Sequence, residues 1–230
     1  MTPFVLAVAT PLSLPLLDGR MNDAGASQWT VVLVLGLLTI APALLLSISP
    51  LVRLLVVFHF LRQALGTQTA PSNQTLMGLG LVMTWFLVQP VVLQIEQQAI
   101  TPYRAGQMTG WDALDHAKAP VAHYLAHYAR EKDEALFVNA AGLARPKSAE
   151  ELPLKVLAPA YMLSELKAGF AIGSVLFLPF LLIDMVTASI TTSIGMFQLP
   201  PVVVSTPLKI LLFVMADGWN LLAGALLKSF

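Results

Sequence analysis

Hydrophobic and polar positions follow one another along this chain in long blocks rather than residue by residue. The first long apolar run covers residues 29–61 and contains Pro42 and Pro50. A helix needs roughly 20 apolar residues to cross about 30 Å of hydrocarbon, so this run is too long for one simple span. Each proline removes a backbone donor and clashes with the preceding turn. The pattern therefore predicts a helix over 29–49, a bend, and a second apolar piece over 51–61 that carries Arg53 and ends at Arg62. Residues 66–74 (GTQTAPSNQ) read as a turn, with Pro71 biasing Ala70 away from helix. Residues 75–95 make a second spanning candidate whose far end Pro90 kinks. After a polar stretch, residues 168–192 are apolar again, with Pro179 and Asp184 inside. Residues 193–201 (SIGMFQLPP) form a turn, and 202–227 are a last apolar segment holding Lys209, Asp217 and Trp219.

The polar stretch, residues 96–167, holds eight of the thirteen basic and nine of the thirteen acidic side chains, with three of the four histidines. It reads as a water-facing insert. Helical periodicity over Trp111–Asn139 predicts two or three short amphipathic helices, with Pro120 starting or breaking one. The expected fold is all-α: a multi-pass helical membrane protein with kinked hairpins and a helical insert. Its organisation divides into a candidate signal peptide (1–26), an N-terminal hydrophobic hairpin region (27–95), the insert (96–167) and a C-terminal hydrophobic hairpin (168–230). The signal reading rests on an apolar stretch with Ala24 and Ala26 as small cleavage-site residues. A plain apolar N-terminus is the other reading, because the first basic side chain is Arg20 and Pro3, Pro11 and Pro15 oppose a helix.

Composition sharpens this picture. Of 230 residues, 57% are hydrophobic and 11% charged, less than half the roughly 25% of a soluble domain. Net charge is zero and no basic stripe could neutralise phosphates, which speaks against a nucleic-acid partner. The absence of cysteine excludes disulfides, thiolate chemistry and cysteine metal sites. Orientation is only weakly marked: Arg53 and Arg62, with no acidic residue beside them, favour the cytoplasm for the first loop. That leaves the insert on the periplasmic face.

Asp184, Lys209 and Asp217 lie deep in apolar segments, where a charge costs at least about 2.5–3.5 kcal/mol on insertion scales. Such groups face protein or water and need partners. Glu165 and Lys167, at the start of the third segment, can reach the interface. Asp184 and Asp217 could form a proton path or a carboxylate dyad, but no local signature surrounds either; pairing with Lys209 or with backbone donors is the structural reading. His123 and His127 share a helix face, yet the string HYLAH lacks the glutamate of a zinc hydrolase. Nothing recommends an enzyme, a metal or a cofactor.

Three strings are more specific: LRQALGTQTAPSNQTLMGLGL (61–81), LAPAYMLSELKAGFAIGSVLFLPFLLIDMVTASI (157–190) and GMFQLPPVVVSTPLKILLFVMADGWNLLAGAL (195–226). Together they resemble the FliP/SctR family of type III export-gate proteins, over roughly residues 29–230. The LGTQTAPSNQ loop looks more like the flagellar branch than the virulence injectisome branch, which is the alternative. The resemblance implies a pore-forming subunit of the flagellar export gate that conducts unfolded flagellar proteins. It implies several copies, five in number, assembled with FliQ and FliR beside FlhB and FlhA-type proteins. The place implied is the bacterial inner membrane and flagellar basal body, largely on the periplasmic side, and a cleavable signal is common in the family. It implies a pore gasket at Gly195, Met196, Phe197, Gln198, Leu199 and Pro200, although relatives often run several methionines together where this chain has Met196, Phe197 and Gln198. Flexible apolar methionine suits closure around varied cargo. Glu165, Lys167, Asp184, Lys209 and Asp217 are then expected as intersubunit charges, with Glu165 pairing with Lys209 of an adjacent copy. An intramembrane enzyme or proton-coupled transporter using Asp184 and Asp217 is the reading from a different class.

Overall fold

The computed structural model describes residues 24–67, 69–143, 151–196 and 198–230, and among them helix is the only regular structure. Residues 1–23 of the candidate signal peptide, and Phe197, lie outside the described residues. The chain divides into two units, Met1–Ala43 and Leu44–Phe230. Helix α1 (Ala24–Ser47) ends four residues beyond the first unit and carries within that unit an apolar stretch, Thr30–Ile40, with Leu33, Leu37 and Leu38 exposed. Pro42, expected to break this helix, lies inside it.

The second unit is built around α2 (Leu51–Ala64), for which Pro50 is the N-cap, so the break expected at Pro50 is present. A cap position has no intrahelical N–H bond to lose, which is why proline fits there. Leu54, Val57, Phe58 and Leu61 recur at helical spacing and are all fully buried. Beyond the turn, Ser72 accepts a hydrogen bond from the Thr75 N–H and caps α3 (Asn73–Ile95). A single π turn (Glu96–Ile100) and the short α4 (Thr101–Arg104) continue α3, making one apolar helix of 32 residues, Asn73–Arg104. Pro90 sits within it.

The insert folds as α5 (Gly110–Tyr128) and α6 (Glu131–Ala140). A reciprocal Thr109–Asp112 capping box starts α5. Pro120, expected to start or break a helix, is a buried residue within α5. Leu125 and Val138 pack with Leu152, Val156, Leu157 and Tyr161, which fixes the insert to the beginning of α7. The polarity change at residue 167 is no structural break: α7 runs uninterrupted over 40 residues, Leu154–Ser193, through Pro159 and Pro179. At 1.5 Å per residue it is about 60 Å long.

Two glycines let α7 approach α2. A Cβ on Gly169 would stand 3.0 Å from the Val56 Cβ and 3.3 Å from the Arg53 carbonyl oxygen, and one on Gly173 would stand 2.5 Å from the Phe60 ring. This is the small-xxx-small spacing that brings helix backbones close. The expected last segment is two helices, α8 (Pro201–Met215) and α9 (Gly218–Lys228), bent by 67°. Asp217 makes the bend in the left-handed region (φ 50°), and Gly218 leaves room for the Phe213 ring, which a Cβ would meet at 2.3 Å.

Candidate functional site

The α7–α8 turn closes tightly. Gly195, at φ 81°, donates its N–H to the Thr192 carbonyl at 3.0 Å, and the Met196 N–H donates to Thr191 at 3.0 Å. These are the two bonds of a Schellman cap, which needs a left-handed residue and so glycine. Pro200 then caps α8 and Pro201 opens it. The turn is held stiffly at both ends, and Met196 and Leu199 are exposed upon it. Of the expected gasket, Gly195, Met196, Gln198, Leu199 and Pro200 share this hairpin tip; Phe197 is outside the described residues.

Along the same hairpin, Lys209 is 2% exposed. Its Nζ donates to Asp184 Oδ2 at 2.5 Å, and the buried Ser205 hydroxyl donates to Asp184 Oδ1 at 2.6 Å. Asp184 is thus occupied by a cation and a hydroxyl, and not by Asp217 as a proton-sharing dyad requires. Asp217, expected deep in an apolar segment, is exposed at the α8–α9 bend and accepts a bond from Asn220 Nδ2 at 3.0 Å.

A denser constellation surrounds Arg53. Its Nε and Nη2 donate to the two carboxylate oxygens of Glu165, the first at 2.9 Å. Its Nη1 donates to the Ser229 carbonyl at 2.8 Å and to the Ser229 hydroxyl at 3.1 Å. The guanidinium carbon stands 3.8 Å from the centroid of the Phe230 ring. Phe230 packs edge-on against Tyr128, whose hydroxyl donates to the Phe230 carbonyl at 2.5 Å. Tyr124 and Tyr161 meet hydroxyl to hydroxyl at 3.3 Å, and burial pushes the Tyr124 phenol up to about 12. One planar fork thereby ties α2, α5, α7 and the end of α9 together, the bidentate geometry for which arginine is suited.

A third pair joins insert to spine. Lys167 donates to Asp133 Oδ1, Ser164 donates to Oδ2 at 2.8 Å, and the Arg130 N–H donates to the Ser164 hydroxyl at 2.9 Å. Burial pushes the Asp133 carboxyl up; the bonds from Lys167 and Ser164 and the charges of Lys167 and Arg130 outweigh it and hold the group below its ordinary value.

These partners bear on two expectations. Glu165 does not reach an interface: it is fully buried. It and Lys209 each have a partner within the chain, Arg53 and Asp184, so neither needs the other from a neighbouring copy for its charge to be met. Arg53 is likewise no loop cation, and its weight in the orientation argument falls away. Only Arg62 remains, hydrogen-bonded to Asn73 Oδ1. The sequence reading passed over Arg53 as a site residue, although Arg53, Val57 and Leu61 are successive i,i+4 positions on the buried face of α2.

Comparison with known proteins adds an independent line. The model of the FliP family matches residues 34–226. The flagellar biosynthetic protein FliP of Bacillus subtilis (strain 168) is 42% identical over 205 residues, covering 89% of this chain and 93% of that protein. That of Pectobacterium carotovorum subsp. carotovorum is 40% identical over 210 residues, covering 90% and 81%. That of Aquifex aeolicus (strain VF5) is 33% identical over 229 residues, covering 99% and 94%.

Proposed function

The chain belongs to the FliP family, and on that premise we propose that it is a pore-forming subunit of the flagellar type III export gate. In this reading it conducts unfolded flagellar proteins across the bacterial inner membrane and performs no catalysis. Several copies assemble, five by the family resemblance, with FliQ and FliR and beside FlhB and FlhA-type proteins, and the insert lies on the periplasmic side.

The observation that carries the reading is a stagger between apolar helices that share one ruler, α2. Helix α7 runs parallel to α2, with Gly169 opposite Val56 and Gly173 opposite Phe60. Helix α3 returns antiparallel across the short turn, with Gly80 opposite Leu51, Leu55 and Phe58. The apolar stretch of α7 (168–192) therefore reaches forward past the end of α2, while that of α3 (75–95) reaches back past its start. They overlap by only about 10 Å and together extend over about 55 Å, at 1.5 Å per residue. A flat hydrocarbon layer of about 30 Å cannot cover both. Yet among the described residues both faces are bare: Val82 is 70% exposed, Trp85 68%, Val175 67% and Leu182 63%. Lipid covers one stretch and neighbouring subunits cover the rest, as a gate subunit requires and a solitary membrane enzyme does not.

The turn at 195–200 supports a gasket role: a stiff hairpin tip bearing the apolar, adaptable Met196. In this reading the pairs of Arg53, Lys167 and Lys209 shape each copy so that its bare faces meet those of its neighbours.

Deletion of the gene in the native bacterium tests the function. Hook protein and flagellin should both vanish from the medium while the basal ring still forms. Unchanged secretion and swimming would overturn the reading, and loss of virulence-effector delivery with swimming intact would move it to the injectisome. Removing Met196–Gln198 should make the assembled gate leak small ions; an ion-tight variant would count against the gasket.

A further inference from the structure

Helices α7, α8 and α9 leave an open groove of about 500 Å³ between them. Its walls are almost wholly apolar and include Val175, Pro179, Leu212, Phe213, Leu221 and Ala225. Its depth is a product of small residues: Gly218 lets α9 start against the Phe213 ring, and Ala225 leaves the opposite wall low. Val175 and Leu221 remain 67% and 65% exposed, so the groove faces outward.

Two charges border it at opposite ends, Asp217 between the lining residues Ala216 and Gly218 and Lys228 at the far end of α9. Leu221, Ala225 and Lys228 follow one another at i, i+4 and i+7 on α9, so Lys228 continues the lining stripe one turn beyond the groove. Lys228 is exposed, and among the described residues no carboxylate pairs with it. Its height is fixed as well. Ser229, the next residue, is bound by Arg53, which also holds Glu165. Lys228 therefore stands level with the point where α7 changes from polar to apolar, at residues 165–168, and the groove lies on the apolar side of that level.

We propose that this groove binds one acyl chain of an anionic phospholipid, with the lipid phosphate at Lys228. An apolar slot whose cation stands at the height of the polarity change, with its one bordering carboxylate, Asp217, at the opposite end, matches a lipid in both parts: chain in the slot, head group on the ammonium. A partner's helix would bury Lys228 and need a carboxylate for it. The inference rests on the chain being a membrane subunit and is independent of what the gate conducts.

Trp219 supplies a reporter, since its ring packs edge-on against Phe213, in the groove wall, at 5.4 Å. The full-length protein, with Trp29, Trp85 and Trp111 each replaced by Phe, is reconstituted in phosphatidylcholine vesicles containing a minority of phosphatidylglycerol. Bromine is carried on the acyl chains of one lipid or the other at equal mole fraction. Quenching titrations should give about fivefold tighter association for brominated phosphatidylglycerol, the preference that one interfacial lysine supplies. Lys228→Gln should abolish that preference, and Ala225→Phe, which fills the slot, should weaken quenching by both lipids. Equal quenching by the two lipids would reduce the groove to ordinary lipid-exposed surface. Absence of quenching by either would mean that protein, a second copy or another subunit, covers it. Either result overturns the proposal.

Discussion

Arg53 and Lys209 are both cations buried among apolar helices, and the protein treats them differently. Arg53 joins four elements: it reaches Glu165 on α7, Ser229 and Phe230 at the end of α9 and, through Phe230, Tyr128 on α5. Lys209 joins two neighbouring helices, and its partner Asp184 keeps 28% of its side chain exposed. A burial penalty met by partners distant in sequence makes a charge a determinant of the whole fold. The same penalty met across one hairpin makes it a determinant of that hairpin.

The largest effect should come from Arg53→Met, which strands a fully buried carboxylate and should cost about 3–5 kcal/mol. Denaturant unfolding in mixed micelles measures it, and the double variant Arg53→Met/Glu165→Leu should regain most of the loss. A single variant as stable as the parent would dissolve the contrast. Gly173→Ala tests the close approach on which the Arg53 constellation depends. The added methyl meets the root of the Phe60 ring, not a flexible tip, so the cost should be near 3 kcal/mol, the upper end for overpacking. Lys209→Met should cost about 1–2 kcal/mol, because Asp184 retains Ser205 and solvent. Hydrogen exchange should quicken in α8 and not in α5; global loosening would make Lys209 the equal of Arg53.

The smallest effect belongs to Asp133, outside both constellations. Its folded-state value lies below the ordinary 3.8, so its contribution is present above that value and is lost as pH falls through the lower, folded value. Protection of α6 amides should be flat near neutrality and fall below about pH 4. Asp133→Asn should remove that acid step; an unchanged acid profile would assign the loss to other groups.

Much of the helical layout was legible in the sequence because turns announce themselves locally. Pro50, the GTQTAPSNQ stretch and Gly195 with Pro200 and Pro201 all mark helix ends. Pro42 and Pro120 misled or were ambiguous for one reason: a proline costs a single backbone bond, and packing elsewhere along the helix can outweigh it. The bend at Asp217 was missed because a left-handed aspartate carries no strong local mark. The candidate site was half legible. The turn was found from its residues, and so were the costly charges Asp184 and Lys209, whereas pairing Arg53 with Glu165 across 112 positions needs the tertiary fold. Gly169 and Gly173 carried a readable small-xxx-small spacing whose partner, α2, only the structure names.

Helix α7 has its insert at one end and the exposed turn at the other, with no interruption between. Mechanically it is a stiff rod about 60 Å long. A tilt of one degree imposed at the insert displaces the hairpin tip by about 1 Å at that length. In the proposed gate, neighbours that seat the insert would therefore also set the aperture at the far end, and the bore of the ring would be adjusted by angles fixed a full molecule's length away.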